Sequence, residues 1–228
     1  MRLATTSRGF TLVELLVALF AMALLAVMSW RGLDGMARAQ AQTEARADQV
    51  LTLQIGLAQW GADLDALTQL PQTTALEWNG RVLRMTRRSS TSASEGIMVV
   101  AWTRRLVGAN LVWLRWQSPP ITTRGQIEEA WQRADLWSQN PSDEERLREV
   151  SIGQLDDWQI FFYRENAWTN PQSSAQGTAV VTAAPAAPSP VAAIPEGVRL
   201  VLTLPAGHAI GGTLTRDWVR PLVAGQKS

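Results

Sequence analysis

The sequence contains no cysteine and only one histidine among its 228 residues. The absence of cysteine excludes disulfides, thiolate metal sites and cysteine nucleophiles. It leaves the cellular compartment open, because oxidising compartments also hold cysteine-free proteins. The single histidine, His208, has no partners at the spacing that a catalytic triad or a zinc site requires. We therefore expect His208 to have a structural position in an exposed hairpin loop.

Strong charge of either sign is also missing. The formal net charge is +1, which argues against a dedicated nucleic-acid surface and predicts no nucleic-acid partner. Two acidic clusters, Asp156-Asp157 and Asp143-Glu144-Glu145, lack the turn-forming glycine of a calcium loop, and we expect solvated turn or cap residues there. Without a Gly-rich phosphate loop, a serine nucleophile elbow or paired catalytic carboxylates, the sequence predicts no enzyme activity, no cofactor and no metal.

A long apolar run is the strongest feature that the sequence does contain. Residues 10–30 are almost all apolar, and at about 1.5 Å per residue they span roughly 30 Å as a helix, the thickness of a bilayer core. The nine residues before this run include Arg2 and Arg8 and no acid. By the positive-inside tendency they stay in the cytoplasm and leave the bulk of the chain outside. Trp30 lies where an interfacial aromatic is expected.

Gly9 and Glu14 distinguish this run from an ordinary secretory signal. A signal peptide has its small cleavage-site residue after the apolar core, whereas Gly9 precedes it. A cut after Gly9 would remove the leader and leave the anchor attached. Glu14 would then be the fifth residue of the cut chain, and an unpaired carboxylate is costly inside a bilayer. The free amino group of Phe10 in a neighbouring subunit would neutralise it.

The sequence RGFTLVE at positions 8–14 resembles the processing motif of type IV prepilins and of the pseudopilins of type II secretion. The resemblance implies that a prepilin peptidase cuts between Gly9 and Phe10 and methylates the new terminal amine. It also implies that Glu14 aligns each subunit in a filament. The alternative is an ordinary single-pass anchor that carries an incidental glutamate.

Residues 31–70 predict a continuation of the same helix, which Pro71 ends. The first part is rich in Ala, Gln, Arg and Glu, which are good helix formers. The second part carries apolar residues at three- and four-residue steps, a stripe that suits packing on a sheet and is too short for a coiled-coil seam. The stripe consists of Val50, Leu53, Leu57, Trp60, Leu64 and Leu67.

Residues 71–228 predict a β-rich globular domain with antiparallel pairing, because few helical patterns separate the strands. Expected strands cover residues 97–103, 110–117, 158–164, 198–204 and 213–219. Before them, Asn79-Gly80 predicts a two-residue type I′ turn that pairs Trp78 with Arg81 and Leu76 with Leu83. One face of this hairpin then carries Leu76, Trp78, Leu83 and Met85.

Three further segments of this domain are distinctive. Residues 126–138 predict a short helix. Ser142 followed by Glu145 resembles a capping box that opens another helix, through about Val150. Residues 170–194 are rich in Ala, Ser and Pro and almost uncharged, which predicts a flexible surface loop between two strands.

Eleven tryptophans stand out in the composition. Most are expected in the core, with one or two available for subunit contacts, where tryptophan is enriched. Trp113 and Trp116 lie near Arg104, Arg105 and Arg115 in the sequence, so a stacking platform for single-stranded nucleic acid is an alternative. The balanced net charge argues against that alternative.

Together these elements predict an α+β, pilin-like fold, in which a long N-terminal transmembrane and amphipathic helix packs on an antiparallel β-sheet domain. Several local motifs are similar to those of the J-type minor pseudopilin of type II secretion: Arg31-Gly32-Leu33, Trp60 with Asp63 and Leu64, Phe161-Phe162-Tyr163 with Trp168, and residues 195–200. The Ala/Pro-rich insert departs from that pattern.

The resemblance implies a subunit of a tip complex that starts a filament and helps to export folded proteins. Its partners would be the I- and K-type minor pseudopilins, the major pseudopilin and the prepilin peptidase. The chain would reside in the bacterial inner membrane with its C-terminal domain in the periplasm. The alternatives are a minor pilin of a type IV pilus, serving adhesion, motility or DNA uptake, and an anchored periplasmic binding protein that never polymerises.

Overall fold

A computed structural model describes residues 9–89, 96–172 and 193–221. The chain divides into two compact units, residues 1–48 and 49–228. The first unit, where it is described, consists of three non-helical residues and the beginning of helix α1, Leu12–Asp65. Nearly every described side chain of this unit is exposed. Helix α1 is long and apolar enough to cross a membrane, as the apolar run predicts.

The described part of the second unit includes the end of α1, two antiparallel sheets and helices α2 and α3. The five-stranded sheet has the order β1-β2-β3-β4-β5, and the four-stranded sheet has the order β7-β6-β8-β9. These elements are β1 Leu76–Trp78, β2 Val82–Arg88, β3 Ile97–Val107, β4 Asn110–Gln117, α2 Arg124–Gln139, α3 Asp143–Arg146, β5 Glu149–Gln154, β6 Asp157–Arg164, β7 Ala167–Thr169, β8 Gly197–Leu204 and β9 Gly212–Val219. The expected α+β class with antiparallel sheets is confirmed.

The apolar stripe of α1 lies in the larger of two cores. Leu53, Trp60 and Leu64 are buried, and they share a cluster with residues of both sheets, such as Trp102 and Leu200. The other stripe positions, Val50, Leu57 and Leu67, are half-buried. The stripe therefore packs on sheets, as its short length predicts.

Helix α2 covers the opposite face of the five-stranded sheet with a second core. Its apolar face, which includes Ile127 and Trp137, packs on Leu114 and Trp116 of β4. The helix begins at Arg124 with Thr123 as its N-cap, so the expectation of a helix over residues 126–138 is confirmed. The five-stranded sheet is thus covered on both faces, which explains why β3 has five consecutive buried residues and β4 has four.

Helix α1 ends at Asp65, six residues before Pro71, so the expectation that proline terminates it is wrong. The chain leaves the helix early because it aligns with β2. The Thr68 amide donates to the Thr86 carbonyl at 3.0 Å, and the Arg88 amide donates to the Ala66 carbonyl at 3.0 Å. Pairing with a sheet satisfies these backbone groups as well as another helical turn would.

The first hairpin has a different register from the one that a two-residue turn predicts. Trp78 pairs with Leu83 and Leu76 with Met85, so the loop contains four residues. The side chain of Asn79 accepts from the amides of Arg81 and Val82 at 3.0 and 2.9 Å, which holds the wider turn. Because the shift involves two residues, the predicted face is kept, and its four apolar side chains are buried.

The helix expected from Ser142 through about Val150 is also shorter than predicted. The capping box is present, with the Glu145 amide donating to Ser142 Oγ and the Ser142 amide donating to the Glu145 carboxylate. Helix α3 nevertheless ends at Arg146, and β5 begins at Glu149 and pairs with β4. Pairing with β4 overrides the local helix signal. Of the expected loop at residues 170–194, residues 173–192 lie outside the described residues.

Candidate functional site

The processing motif lies at the start of α1. Gly9 and Phe10 precede the helix, and Phe10 is 88% exposed. The backbone between these two residues is therefore accessible from outside the folded domain. A peptidase that cuts there would need to unfold no part of the helix.

Thr11 and Glu14 form a capping box that the sequence reasoning missed. The Thr11 amide and hydroxyl both donate to Glu14 Oε2, at 3.0 and 2.9 Å. In return, the Glu14 amide donates to Thr11 Oγ1 at 3.3 Å. The pattern of threonine followed three residues later by glutamate could have revealed it. The carboxylate proposed for subunit register is therefore held by local hydrogen bonds through one of its two oxygens.

Within the described part of the chain, no other protein segment covers the helix around Glu14. Leu15, Leu16 and Phe20 are all more than half exposed. A surface that is apolar on all sides is typical of a membrane span. Its single carboxylate is the one ionisable group between Phe10 and Trp30, so this site combines an accessible N-terminal segment, an apolar helix and one acid.

A second polar site lies deep in the globular unit, around Asp63. Asp63 is fully buried, and its carboxylate accepts from Gln59, Arg87, Trp102 and Arg115. The Arg115 guanidinium binds it through two nitrogens, at 2.7 and 2.9 Å. These bonds connect α1 with β2, β3 and β4. Trp60, Asp63 and Leu64, noted above as a motif, are all buried at this junction.

The tryptophans near the arginines do not form an accessible stacking platform. Trp113 and Trp116 are each only 1% exposed. The arginines are paired: Arg104 with Asp157, Arg105 with Glu149 and Arg115 with Asp63. Eight of the eleven tryptophans are buried, which confirms a mainly structural use: Trp60, Trp78, Trp102, Trp113, Trp116, Trp137, Trp158 and Trp218.

The outer face of the four-stranded sheet carries another charged pair. Arg199 lies 4.2 Å from the ring centre of Trp168 and donates two 2.7 Å hydrogen bonds to Asp217. These hydrogen bonds hold the pKa of Asp217 below its usual range. The geometry is that of a bidentate cross-strand pair, which fixes the relative positions of β8 and β9.

The remaining candidate residues have local structural contacts. His208 is half-buried in the β8–β9 loop, and its Nδ1 accepts from the Ile210 amide at 3.1 Å. Of the acidic clusters, Glu145 caps α3 and Asp157 pairs with Arg104. Over residues 9–89, 96–172 and 193–221, no group of three or more His, Asp or Glu side chains is placed to hold a metal ion.

Comparison with known families adds one match. Residues 5–30 match the family model of the prokaryotic N-terminal methylation motif, a span that includes Gly9, Phe10 and Glu14. No curated protein matches the chain significantly. The matched segment, the single apolar helix and the antiparallel sheets together indicate a type IV pilin-like protein, anchored in a membrane by one helix.

Proposed function

We propose that this protein is a minor pseudopilin of a type II secretion system, similar to the J type. In this proposal, prepilin peptidase cuts between Gly9 and Phe10 and methylates the new amine. The helix stores the subunit in the inner membrane, and the globular unit lies in the periplasm. The chain joins I- and K-type minor pseudopilins and the major pseudopilin. This role is one of assembly and includes no catalytic step or cofactor.

The observation that carries the proposal is the position of Glu14. It is the fifth residue after the proposed cut, it is exposed on an otherwise apolar helix, and it lies within the matched methylation motif. A carboxylate in lipid needs a cationic partner, and a neighbouring subunit's terminal amine is that partner. An anchor that never assembled would gain nothing from such a group.

The test is the intact mass of the chain purified from membranes, with and without prepilin peptidase. We expect a product that begins at Phe10 and carries one methyl group only when the peptidase is present. A Gly9→Leu variant is the matched control and should stay uncut, because the bulky side chain occupies the position of the small residue. An uncut wild-type chain that begins at Met1 would refute the processing and the filament role together.

A minor pilin of a type IV pilus is the second candidate, because the motif match and the fold fit it equally. The two candidates differ in phenotype. Deletion of a pseudopilin should trap secreted proteins in the periplasm and leave twitching and DNA uptake intact. Deletion of a minor pilin should have the opposite effect. A fully functional strain in both assays would favour the anchored binding protein.

A further inference from the structure

The buried cluster around Asp63 carries more positive than negative charge. One carboxylate faces two guanidinium groups, those of Arg87 and Arg115, which are 4% and 7% exposed. Buried arginine is stable only when its charge is matched. Within the described part of the chain, the cluster therefore holds one cation in excess of its anions.

The charges on adjoining strands do not supply the missing anion. Glu149 pairs with Trp116 in the sheet register, on the face that α2 covers, and its carboxylate accepts from Arg105 and Trp137. Arg148 adds a further cation, and it is paired with Glu144. Because Arg148 and Glu149 are each paired elsewhere, neither of them offsets the excess positive charge of the cluster.

Arg115 lines an open cavity of about 530 Å³, together with Gln117, Leu147, Val150 and the paired residues Arg148 and Glu149. Its Nη1 donates to Gln117 Oε1 at 2.9 Å. That nitrogen carries two N–H groups, and no described residue accepts from the other. Val150 is the direct cross-strand partner of Arg115, so its side chain lies at the same face of the sheet. The cavity therefore offers a guanidinium donor at its base.

Two apolar residues in the lining of this cavity are unusually exposed. Leu147 is 87% exposed and Val150 is 53% exposed. A free inorganic anion would leave these apolar side chains in contact with water, whereas a bound protein surface would bury them. Buried arginine with an apolar surround is the common form of an interface hot spot.

We propose that this cavity binds a carboxylate side chain, Asp or Glu, of a neighbouring pilin-like subunit. The carboxylate meets Arg115 Nη1 and offsets the excess positive charge, while Leu147 and Val150 pack around its stem. The proposal rests on the proposed function only in its choice of partner. The recognition chemistry follows from the cavity itself.

The first experiment tests carboxylate recognition without any partner, and it exploits the absence of cysteine. The Val150→Cys variant of the full chain, in detergent, is equilibrated with equal concentrations of 3-mercaptopropionate and 2-mercaptoethanol and their disulfides. Intact mass gives the ratio of the two mixed disulfides. A Thr215→Cys variant on exposed β9 supplies the reference ratio. We expect the ratio of the 3-mercaptopropionate disulfide to the 2-mercaptoethanol disulfide to be about fivefold higher at Val150→Cys than at Thr215→Cys. A factor of this size is the effect of a partly screened ion pair.

Gln117→Glu tests the same site from within. Gln117 is exposed and already contacts Arg115, so this substitution places a carboxylate beside the guanidinium. We expect it to remove the fivefold enrichment, whereas Gln159→Glu on the other sheet should leave it unchanged. Equal disulfide ratios at Val150→Cys and Thr215→Cys would overturn the proposal that this cavity binds a carboxylate. Enrichment seen only after Glu95→Gln would assign the cavity to this chain's own Glu95, which lies outside the described residues, and would overturn the partner.

The second experiment tests the partner by co-purification of the full chain with co-expressed I- and K-type minor pseudopilins. We expect Gln117→Glu to reduce recovery of a partner at least fivefold and Gln159→Glu to have no effect. Unchanged recovery with Gln117→Glu would overturn docking at this cavity while the proposed function stands. A wild-type chain that captures neither subunit would refute the proposed function and the choice of partner, and the thiol ratio alone would still decide whether the cavity takes a carboxylate.

Discussion

At the scale of single residues, Asp63 is the most connected polar group in the described core. Five hydrogen bonds reach its carboxylate from four side chains, Gln59, Arg87, Trp102 and Arg115. A buried ion pair adds little net stability relative to apolar packing, but removal of one partner leaves a buried charge unmatched. Loss of the Asp63 carboxylate would therefore destabilise the fold mainly because it would leave the buried guanidinium groups unmatched.

Asp63→Asn should destabilise the protein by about 3–5 kcal/mol, because two buried guanidinium groups lose their only carboxylate. The measurement is urea unfolding of the full chain in detergent, followed by tryptophan fluorescence. Asp48→Asn, at an exposed position of the same helix, is the matched control and should change the free energy of unfolding by less than about 0.5 kcal/mol. Equal effects of the two substitutions would contradict the central role of Asp63.

Asp217 should contribute a pH-dependent part of the stability. Arg199 lowers the pKa of Asp217 in the folded state, so the contribution is present above the unfolded pKa of about 3.9 and is lost as the pH falls through the folded pKa. Asp217→Asn should therefore reduce stability at neutral pH and reduce its acid dependence below about pH 4. Unfolding curves measured from pH 2 to 7 check this. An acid dependence identical to that of wild type would show that the pair is fully screened.

The sequence could locate Asp63 but could not reveal its partners. Arg87 and Arg115 lie 24 and 52 positions away, and their approach depends on the order of β2, β3 and β4 in the sheet. Strand order is a tertiary property that no local pattern encodes. Gly9, Phe10 and Glu14 were different, because their proposed roles depend only on spacing along one helix. Their cleavage, methylation and register roles remain predictions.

At the scale of elements, Gly56 sets how closely α1 approaches β5. A Cβ atom at this position would overlap the Cγ2 methyl of Ile152 and lie 3.3 Å from the Trp113 ring. The β-branched isoleucine has little freedom to move away. The absence of a side chain at Gly56 is therefore a packing requirement of the helix–sheet contact.

Gly56→Ala should destabilise the protein by about 1–3 kcal/mol through overpacking. Gly61→Ala is the matched control in the same helix, where a Cβ meets nothing within 4 Å. That substitution should stabilise by about 0.5–1 kcal/mol, because alanine favours the helix. Thermal unfolding monitored by circular dichroism would give opposite shifts in Tm. Shifts of the same sign would contradict the close approach of helix and strand.

The elements show where local patterns succeed and where they fail. Strand β4 begins and ends at the predicted residues, Asn110 and Gln117. The signal of Ser142 and Glu145 correctly opened α3, yet it could not show that pairing of β5 with β4 ends the helix after one turn. Asn79-Gly80 correctly marked a turn, while its width depended on the hydrogen bonds of the Asn79 side chain.

At the scale of the whole molecule, the residue proposed for assembly lies outside the two described cores. Glu14 is exposed, and among the described residues its carboxylate accepts hydrogen bonds only from Thr11, whereas the described cores lie within residues 49–228. Loss of the Glu14 carboxylate should therefore leave the globular unit folded. The two properties can be measured separately in one variant.

Glu14→Ala should abolish incorporation into filaments without changing the Tm of the full chain in detergent. The physical reason is that the variant retains its anchor and its fold but has no anion for a neighbouring terminal amine. Glu44→Ala, in the same helix beyond the apolar run, should assemble as wild type. Filament content after shearing or secretion of a reporter protein measures assembly. Normal assembly of the Glu14→Ala chain would favour an anchored protein that never polymerises.

The capping box at the start of α1 has a consequence for the entropy of assembly. Both Thr11 donors bind Oε2 of Glu14, so the carboxylate is fixed in one orientation, and no described residue donates to its other oxygen. A free glutamate side chain would lose its rotamer freedom on docking. Here that loss occurs when the helix forms, before any neighbour arrives. In the proposed assembly, the acceptor oxygen of each subunit is therefore oriented before docking, and docking orders only the incoming amine.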